Sequence, residues 1–350
     1  MYAQHSSKAL NLVIKKVVRS FFVCFLVCLM GFIEQSSAQE TVFTTPTEVA
    51  HQIQVEGGVL HRYAMPFENK QRFVDVFVPN EAKAKKQVKT LYMHDGQMLF
   101  DSTQTWNKKE WKIDEVLATT LTKYAHDPFI VVGIHNDPAN RYAEFFPQAV
   151  ADLMPDTYRN LLMEKLWNGQ LKADNYLNWI ENTVVPFIED EFKAGKCTQD
   201  RMVMGSSMGG LISLYALCEK PKLFGGVACL SIHTPMINYG MFEEGMVEAL
   251  VVPFNIYLES KLKADRHHFL YVDRGTETLD ASYEPYHKLL LTTLARVGYD
   301  AKNPRFLEAI VQGTGHDEQA WAARWHVPLL FMMTRNNSRK FSTFAPLNQA

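Results

Sequence analysis

Short apolar runs alternate with longer amphipathic segments over most of this chain, and few protein architectures accommodate such an order. The apolar runs have the length of buried strands and are bounded by Gly, Asp, Asn or His. Strands are predicted at residues 72–78, 90–93, 129–134, 201–204, 225–230, 269–272 and 305–311, and helices at 111–124, 176–192, 208–219, 283–297 and 317–333. The alternation predicts an α/β fold with a mostly parallel sheet and helices on both faces. Because the turns between the first strands are too short for a helix, one edge of the sheet should be antiparallel.

Composition excludes several classes of protein. The 350 residues are 47% hydrophobic, which supports a large buried core and excludes an intrinsically disordered chain. Lys and Arg number 36 against 38 Asp and Glu, a balance that argues against a nucleic-acid partner. Because no boundary signal divides the sequence, we predict one domain over residues 39–335. Within it, residues 148–175 are predicted to be an insertion near the functional site, and residues 336–350 a mobile C-terminal tail.

The N-terminal segment, residues 1–38, has the pattern of a secretory signal peptide. Basic residues precede an apolar run at 21–33, and small residues follow at Ser36 and Ala38. The apolar run is shorter than the about 20 residues that span a bilayer, which favours a cleaved signal over an uncleaved anchor. We therefore predict a secreted or periplasmic protein that is cleaved after Ala38 and is not stably inserted in a membrane. The cysteines outside this segment have the spacing of neither a disulfide framework nor a zinc site.

The sequence RMVMGSSMGGLISLYAL carries the strongest chemical signal in the chain. It contains G-x-S-x-G, from Gly205 to Gly209, between a predicted strand and a predicted helix. This setting places Ser207 at the tip of a sharp turn, where bulky side chains two positions away would collide. The start of the following helix also favours negative charge that develops near the serine hydroxyl. Ser207 is therefore the predicted nucleophile.

A serine nucleophile needs a base, and in this strand–turn–helix setting the chain order is Ser, acid, His. Among the histidines after Ser207, His316 is the one that directly follows a late predicted strand, so it is the predicted base. The acid should come from VDRGTETLD, after the preceding strand. Asp273 comes too early to reach His316, and Asp280 stands where it could cap the next helix. Glu277 is the predicted acid, with Asp280 as the alternative.

Five motifs in order, LYMHDGQMLFD, FIVVGIHNDPANRYAEFFP, VMGSSMGGLISLYAL, VDRGTETLD and GTGHDEQAW, extend over most of the chain. With them the chain resembles the esterase D-like family of α/β-hydrolases, which includes feruloyl and acetyl xylan esterases, siderophore esterases and mycolyltransferases. The resemblance implies the α/β-hydrolase fold, and an oxyanion hole made by the backbone amides of Gln97 and Met208. Arg141 and Glu144 also match a family pattern and are expected to form a structural ion pair. The resemblance does not decide between the two candidate acids.

These features predict a secreted serine carboxylic-ester hydrolase that acts through an acyl-enzyme. The expected substrates are acetyl or feruloyl esters of carbohydrates. A siderophore esterase of the enterobactin type and an acyltransferase of the same fold are alternatives within the same chemistry. A catalytically inactive, carbohydrate-binding relative of the esterases is the alternative from another class.

A metal-dependent hydrolase is a weaker alternative. Its candidate ligands are His94, Asp95, His135 and Asp137, but their spacing does not match that of a known site such as H-E-x-x-H. We therefore expect neither a metal nor an organic cofactor. The sequence leaves the oligomeric state open.

Overall fold

The computed structural model describes residues 45–83, 87–119, 129–237 and 245–333. The predicted signal peptide at 1–38 and the predicted C-terminal tail at 336–350 lie outside these residues. Among the described residues, no helix is both long enough and apolar enough to span a membrane.

A nine-stranded sheet forms the centre of the described chain. The strands are β1 (Thr47–Val49), β2 (Gly58–Phe67), β3 (Lys70–Pro79), β4 (Lys89–His94), β5 (Phe129–Ile134), β6 (Arg201–Ser206), β7 (Gly226–Leu230), β8 (Phe269–Gly275) and β9 (Phe306–Val311), in the order β1-β2-β3-β5-β4-β6-β7-β8-β9. All neighbours from β5 to β9 are parallel, whereas β1, β2 and β3 form an antiparallel edge that ends against β5. The predicted mostly parallel sheet with an antiparallel edge is confirmed, and β1 and β2 extend it beyond the seven predicted strands.

Helices follow each of the parallel strands β4 to β9. They are α1 (Ile113–Thr119), α2 (Arg141–Phe145), α3 (Gln148–Ala151), α4 (Asp156–Lys165), α5 (Ala173–Trp179), α6 (Val185–Glu191), α7 (Met208–Glu219), α8 (Met246–Lys261), α9 (Glu284–Arg296), α10 (Glu318–Ala322) and α11 (His326–Met333). The helix predicted at 176–192 is interrupted by a π turn at Ile180–Val184, directly before Pro186 in the first turn of α6. Proline lacks the amide hydrogen that an α-helix needs at that point, and the wider turn accommodates it. The sequence pattern does not predict α8, which has Pro253 in its interior.

The sheet is covered on both faces, and this explains why its central strands read as continuous apolar runs. In β4 and β6, Tyr92 and Val203 pack into one hydrophobic cluster, while Leu91, Met202 and Met204 pack into the other. Successive side chains of a strand point to opposite faces, so both faces must be apolar when both are covered. Each fully buried side chain of this kind stabilises the fold by about 1.5–3 kcal/mol.

The segment 148–175 is mainly helical and packs against the larger hydrophobic cluster. The side chains of Leu162 and Trp167 are fully buried there, and the Trp167 ring lies 4.6 Å from that of Phe146, measured between ring centroids. This segment is therefore held by apolar contacts.

The parallel strands bring their carboxyl ends to one edge of the sheet, as expected for strands that run in the same direction. Loops after β4, β6, β7, β8 and β9 meet at this edge. The predicted site residues lie on four of these loops.

Candidate active site

The turn between β6 and α7 holds Ser207 in a strained backbone conformation. Its φ is 56° and its ψ is −122°, a combination that side chains other than glycine rarely adopt. A Cβ atom on Gly205 would lie 2.6 Å from the carbonyl carbon of Gly209, so the turn can close only with glycine at position 205. The geometry is that of a nucleophile elbow, in the place where the sequence predicts one.

Backbone hydrogen bonds fix the elbow to the neighbouring strand. The Ser207 amide donates to the carbonyl of Leu230 at the end of β7, at 3.0 Å, and the His233 amide donates to the Ser207 carbonyl at 3.2 Å. The strain at Ser207 is therefore maintained by the sheet and by the loop after β7, rather than by the turn alone.

His316 lies after β9 and contacts a buried carboxylate. Its Nδ1 is 2.6 Å from Asp280 Oδ1, and the Asp280 side chain is completely buried. Burial alone would raise the pKa of Asp280, but hydrogen bonds from His316, Ser231 and the Gly275 amide outweigh it and lower that pKa. Since an ionised carboxylate only accepts, Nδ1 of His316 carries a proton, and Nε2 is the ring nitrogen that can act as a base.

The predicted acid Glu277 does not contact His316, and Asp280 occupies that position instead. Glu277 is exposed, and its backbone amide donates to the carbonyl of Thr314 at 3.0 Å. The interpretation of Asp280 as a helix cap is also wrong, because a 3₁₀ turn at Thr278–Tyr283 precedes α9. This turn carries Asp280 back under the loop of His316.

The loops that carry Asp280 and His316 are hydrogen-bonded to each other. The amides of Thr276 and Glu277 both donate to the Thr314 carbonyl at 3.0 Å, and the His316 amide donates to Thr278 Oγ1 at 2.8 Å. These bonds set the separation of the two loops independently of the strand ladder between β8 and β9.

The predicted oxyanion-hole residues lie beside Ser207. Asp95 has a left-handed backbone with φ 58°, and a 3₁₀ turn at Gly96–Met98 follows it. Gln97 and Met208 line the same cleft as Ser207. Met208 is the first residue of α7, and the first amides of a helix have no partner within it, so the Met208 amide is available to a ligand.

Arg141 and Glu144 do not form the predicted ion pair, because each pairs with a different residue. Arg141 binds Asp95 through two parallel hydrogen bonds of 2.8 and 2.7 Å. Glu144 accepts two hydrogen bonds from the buried Arg72, at 2.9 and 2.6 Å. The Arg141–Asp95 pair therefore fixes the loop that carries Gln97, while the Arg72–Glu144 pair joins β3 to α2.

The four candidate metal ligands do not come together. His94 Nδ1 is 2.8 Å from the hydroxyl of Tyr176, while Asp95 binds Arg141. His135 Nε2 is 2.8 Å from Asp75, on the antiparallel edge. In the described part of the chain, no three His, Cys, Asp or Glu side chains are grouped so that they could hold a metal ion.

Ser207 and His316 open into a cleft of about 710 Å³. Aromatic side chains line it, and among them the Trp106 ring is 85% exposed. The loop of Trp106 is joined to the other wall by two hydrogen bonds. Asn107 donates to Glu318 at 2.7 Å, and Lys109 donates to Asp317 at 2.8 Å; Asp317 directly follows His316 in the sequence.

A comparison with known families identifies the group to which the chain belongs. The family model described as "Putative esterase" matches residues 67–327, three quarters of the chain and all of the site residues described above. The chain belongs to this esterase family. The resemblance inferred from the five motifs is thereby confirmed.

Solved structures share the α/β-hydrolase fold of this esterase. The enterobactin esterase FES from Shigella flexneri is 15% identical and has a TM-score of 0.55, over 81% of this chain and 60% of that one. A ferulic acid esterase is 15% identical with a TM-score of 0.56, over 81% of this chain and 100% of that one. An IroE-like serine hydrolase from Shewanella oneidensis is 15% identical with a TM-score of 0.53, over 82% and 81%. At such identities the likeness establishes the fold.

One curated relative matches the esterase by sequence. The uncharacterized protein YbbA of Bacillus subtilis (strain 168) is 26% identical over 161 residues, which are 46% of this chain and 56% of YbbA. The chain therefore spans less than two thirds of YbbA and of the S. flexneri enterobactin esterase.

Proposed function

We propose that the protein is a serine carboxylic-ester hydrolase in which Ser207, His316 and Asp280 form the catalytic triad. The observation that carries the proposal is the strained Ser207 elbow in one cleft with His316, whose Nδ1 contacts a fully buried carboxylate. A base oriented in this way is what a weak serine nucleophile requires.

In the proposed reaction, Ser207 Oγ attacks the ester carbonyl while Nε2 of His316 removes the hydroxyl proton. The amides of Met208 and Gln97 hold the resulting oxyanion, and each such donor lowers the barrier by about 3 kcal/mol. Asp280 stabilises the imidazolium, which then protonates the departing alcohol. A water molecule, deprotonated by His316, attacks the acyl-enzyme, and Ser207 regains its proton as the acid product leaves.

Two measurements test the mechanism. A fluorophosphonate probe should label the wild-type protein on Ser207, and Ser207→Ala should abolish both labelling and hydrolysis of p-nitrophenyl acetate. Ser206→Ala is a matched control, because Ser206 is the adjacent hydroxyl at the end of β6, and it should retain labelling. Hydrolysis that survives in Ser207→Ala would refute the mechanism, and absence of labelling in the wild type would favour the inactive, carbohydrate-binding alternative.

We propose as substrates acetyl or feruloyl esters of carbohydrates. The support is the size of the cleft and the exposed Trp106 at its rim, because an indole face stacks on sugar or phenolic rings. The likeness to an enterobactin esterase makes a siderophore ester an equally supported candidate. Initial rates on acetylated xylan, methyl ferulate and a catecholate trilactone would separate the three, and assays with an added sugar acceptor would reveal acyl transfer.

We further propose that the protein is exported, with residues 1–38 as its signal peptide. The support is the basic segment, the short apolar run and the small residues before Gln39. Expression of the full chain in a bacterial host, followed by fractionation and N-terminal sequencing, should give a periplasmic or secreted product that begins at Gln39. A cytoplasmic product that keeps Met1 would contradict the proposal.

A further inference from the structure

We propose that Arg324 and Asp273 position the acid Asp280 through the hydroxyl of Ser231, and that Arg324 offsets the charge of the two buried carboxylates. The inference deepens the proposed function, on which it rests. It assigns a role in the reaction to Asp273 on β8, which was rejected as the acid from its place in the sequence, and to Ser231 after β7 and Arg324 after α10, which lie outside the five motifs.

Ser231 connects the two carboxylates. Its hydroxyl donates to Asp280 Oδ2 at 2.5 Å, and its backbone amide donates to Asp273 Oδ1 at 2.6 Å. Ser231 follows β7 with a positive φ of 41°, which costs conformational energy and indicates that the surroundings hold it in place. One residue thus contacts both acids through different groups.

Arg324 contacts the same set from the other side. Its Nε donates to Asp273 Oδ2 at 2.9 Å, and its Nη2 donates to Ser231 Oγ at 2.8 Å and to Asp273 Oδ1 at 3.2 Å. The indole Nε1 of Trp321 also donates to Ser231 Oγ, at 3.0 Å. With both of these donors on its oxygen, the Ser231 hydroxyl has its own hydrogen left for Asp280. The direction of that hydrogen bond is therefore determined.

The cluster is closed to solvent, so the repulsion between its two carboxylates must be offset from within the protein. The side chains of Asp273 and Asp280 are completely buried, and that of Arg324 is 2% exposed. Burial alone would lower the pKa of Arg324, but the charge of Asp273 and its hydrogen bond outweigh this and raise it. Two buried carboxylates without a cation would repel, and one of them would take up a proton. Arg324 prevents this.

Other charged or titratable groups face the acid and the base, and their partners are different. Arg274 donates to the Gly275 carbonyl and lies 3.9 Å from Glu284, and Lys109 is paired with Asp317. Burial lowers the pKa of His233 to about 3, so this ring is neutral. The Tyr271 hydroxyl donates to Asp273, and burial together with the charge of Asp273 raises the pKa of the Cys229 thiol, which therefore stays neutral. The Tyr283 hydroxyl is bonded to His233 and also to Ser207.

The test compares the pH dependence of kcat in charge-changing variants. Arg324→Met makes the net charge of the cluster one unit more negative, and this favours the protonated, inactive form of the site. The acid limb of the profile should move up by about one pH unit, and kcat at its plateau should fall about tenfold. Asp273→Asn has the opposite effect on charge and should move the limb down. The double variant should return it towards the wild-type position.

Two further variants separate charge and positioning from stability. Arg324→Lys keeps the charge but loses the paired geometry, so it should lower kcat without moving the acid limb. Arg201→Met removes another buried arginine, which is bonded to Glu189 and the Leu223 carbonyl at the amino end of β6. It should lower the melting temperature and leave the pH profile unchanged.

The outcomes decide the inference separately from the proposed function. The inference is overturned if Arg324→Met and Arg201→Met have the same pH profile. It is also overturned if Arg324→Met and Asp273→Asn shift the acid limb in the same direction. If the wild type has no hydrolysis that depends on Ser207, the proposed function itself fails. Variants too weak for turnover can be followed by the pH dependence of fluorophosphonate labelling, which reports the same proton transfer.

Discussion

Asp280→Asn tests whether Asp280 is the acid of the proposed triad, and the hydrogen bonds of Asp280 predict how far kcat should fall. Oδ2 of Asp280 accepts from two donors, Ser231 Oγ at 2.5 Å and the Gly275 amide at 2.6 Å. The amide NH₂ of asparagine cannot replace that oxygen, because it is itself a donor and would face the Ser231 hydroxyl and the Gly275 amide, which also donate. It must therefore face His316, so that Nδ1 becomes an acceptor and Nε2 carries the proton. A ring in that tautomer cannot accept the Ser207 proton.

The magnitude follows from the alternative orientation of the amide. Restoring the active tautomer would turn the NH₂ towards Ser231 and Gly275, at about 1–3 kcal/mol for each buried group left without a partner. The two together amount to about 4 kcal/mol. A tenfold change in rate corresponds to about 1.4 kcal/mol, so kcat should fall about 10³-fold. The shape of the site changes little, and KM should stay within about threefold.

The assay is steady-state hydrolysis of p-nitrophenyl acetate at pH 8, with circular dichroism as the check on folding. Glu277→Gln is the matched control: a carboxylate three residues away that is exposed, so its kcat should change less than twofold. The assignment of the acid would be refuted if folded Asp280→Asn kept kcat within tenfold of the wild type. It would also be refuted if Glu277→Gln lost as much activity.

Three other substitutions test separate parts of the structure. Gly205→Ala places a Cβ 2.6 Å from the Gly209 carbonyl carbon and should lower kcat about 100-fold by displacing the elbow, whereas unchanged kcat would contradict the close approach. Trp106→Ala should lower kcat/KM for methyl ferulate about fivefold and leave that for ethyl acetate unchanged, and equal effects on both esters would exclude stacking. Burial and the nearby Glu115 raise the pKa of Asp114 to about 7, so in the wild type this group weakens the fold as pH rises from about 4 to 7. Asp114→Asn should therefore raise the melting temperature by about 2 °C at pH 8, after allowance for solvent screening, and by less at pH 5; a gain independent of pH would count against the shift.

The features predicted correctly from the sequence depend on short-range signals. The parallel strands are apolar because both faces of the sheet are covered, and the elbow needs small residues at Gly205 and Gly209. Each of these requirements constrains only a few consecutive residues, so it can be recognised in the sequence. The antiparallel strand β2 lacks such a signal, because it carries polar residues whose partners are on the neighbouring strands β1 and β3. Arg62, for example, is bonded to Asp75 at 2.7 Å.

The errors concern contacts between residues far apart in the chain. Asp280 and Glu277 are three positions apart and chemically alike, and the difference between them arises from the Ser231 hydroxyl and the Gly275 amide. Likewise, Glu144 lies three positions from Arg141 but binds Arg72, 72 positions away. Local spacing carries no information on such partners, because the fold of the whole sheet brings them together.

The bonds between the loops after β8 and β9 have a consequence for how activity is lost. β9 is one of the two edge strands of the sheet, and edge strands open locally at lower free energy than central ones. The His316 amide, however, is bonded to Thr278 Oγ1 on the neighbouring loop, so fraying of β9 does not by itself carry the imidazole away from Asp280. The contact between His316 and Asp280 should therefore persist when β9 alone frays. Heat should abolish activity at the higher temperature at which β8 unfolds together with the core.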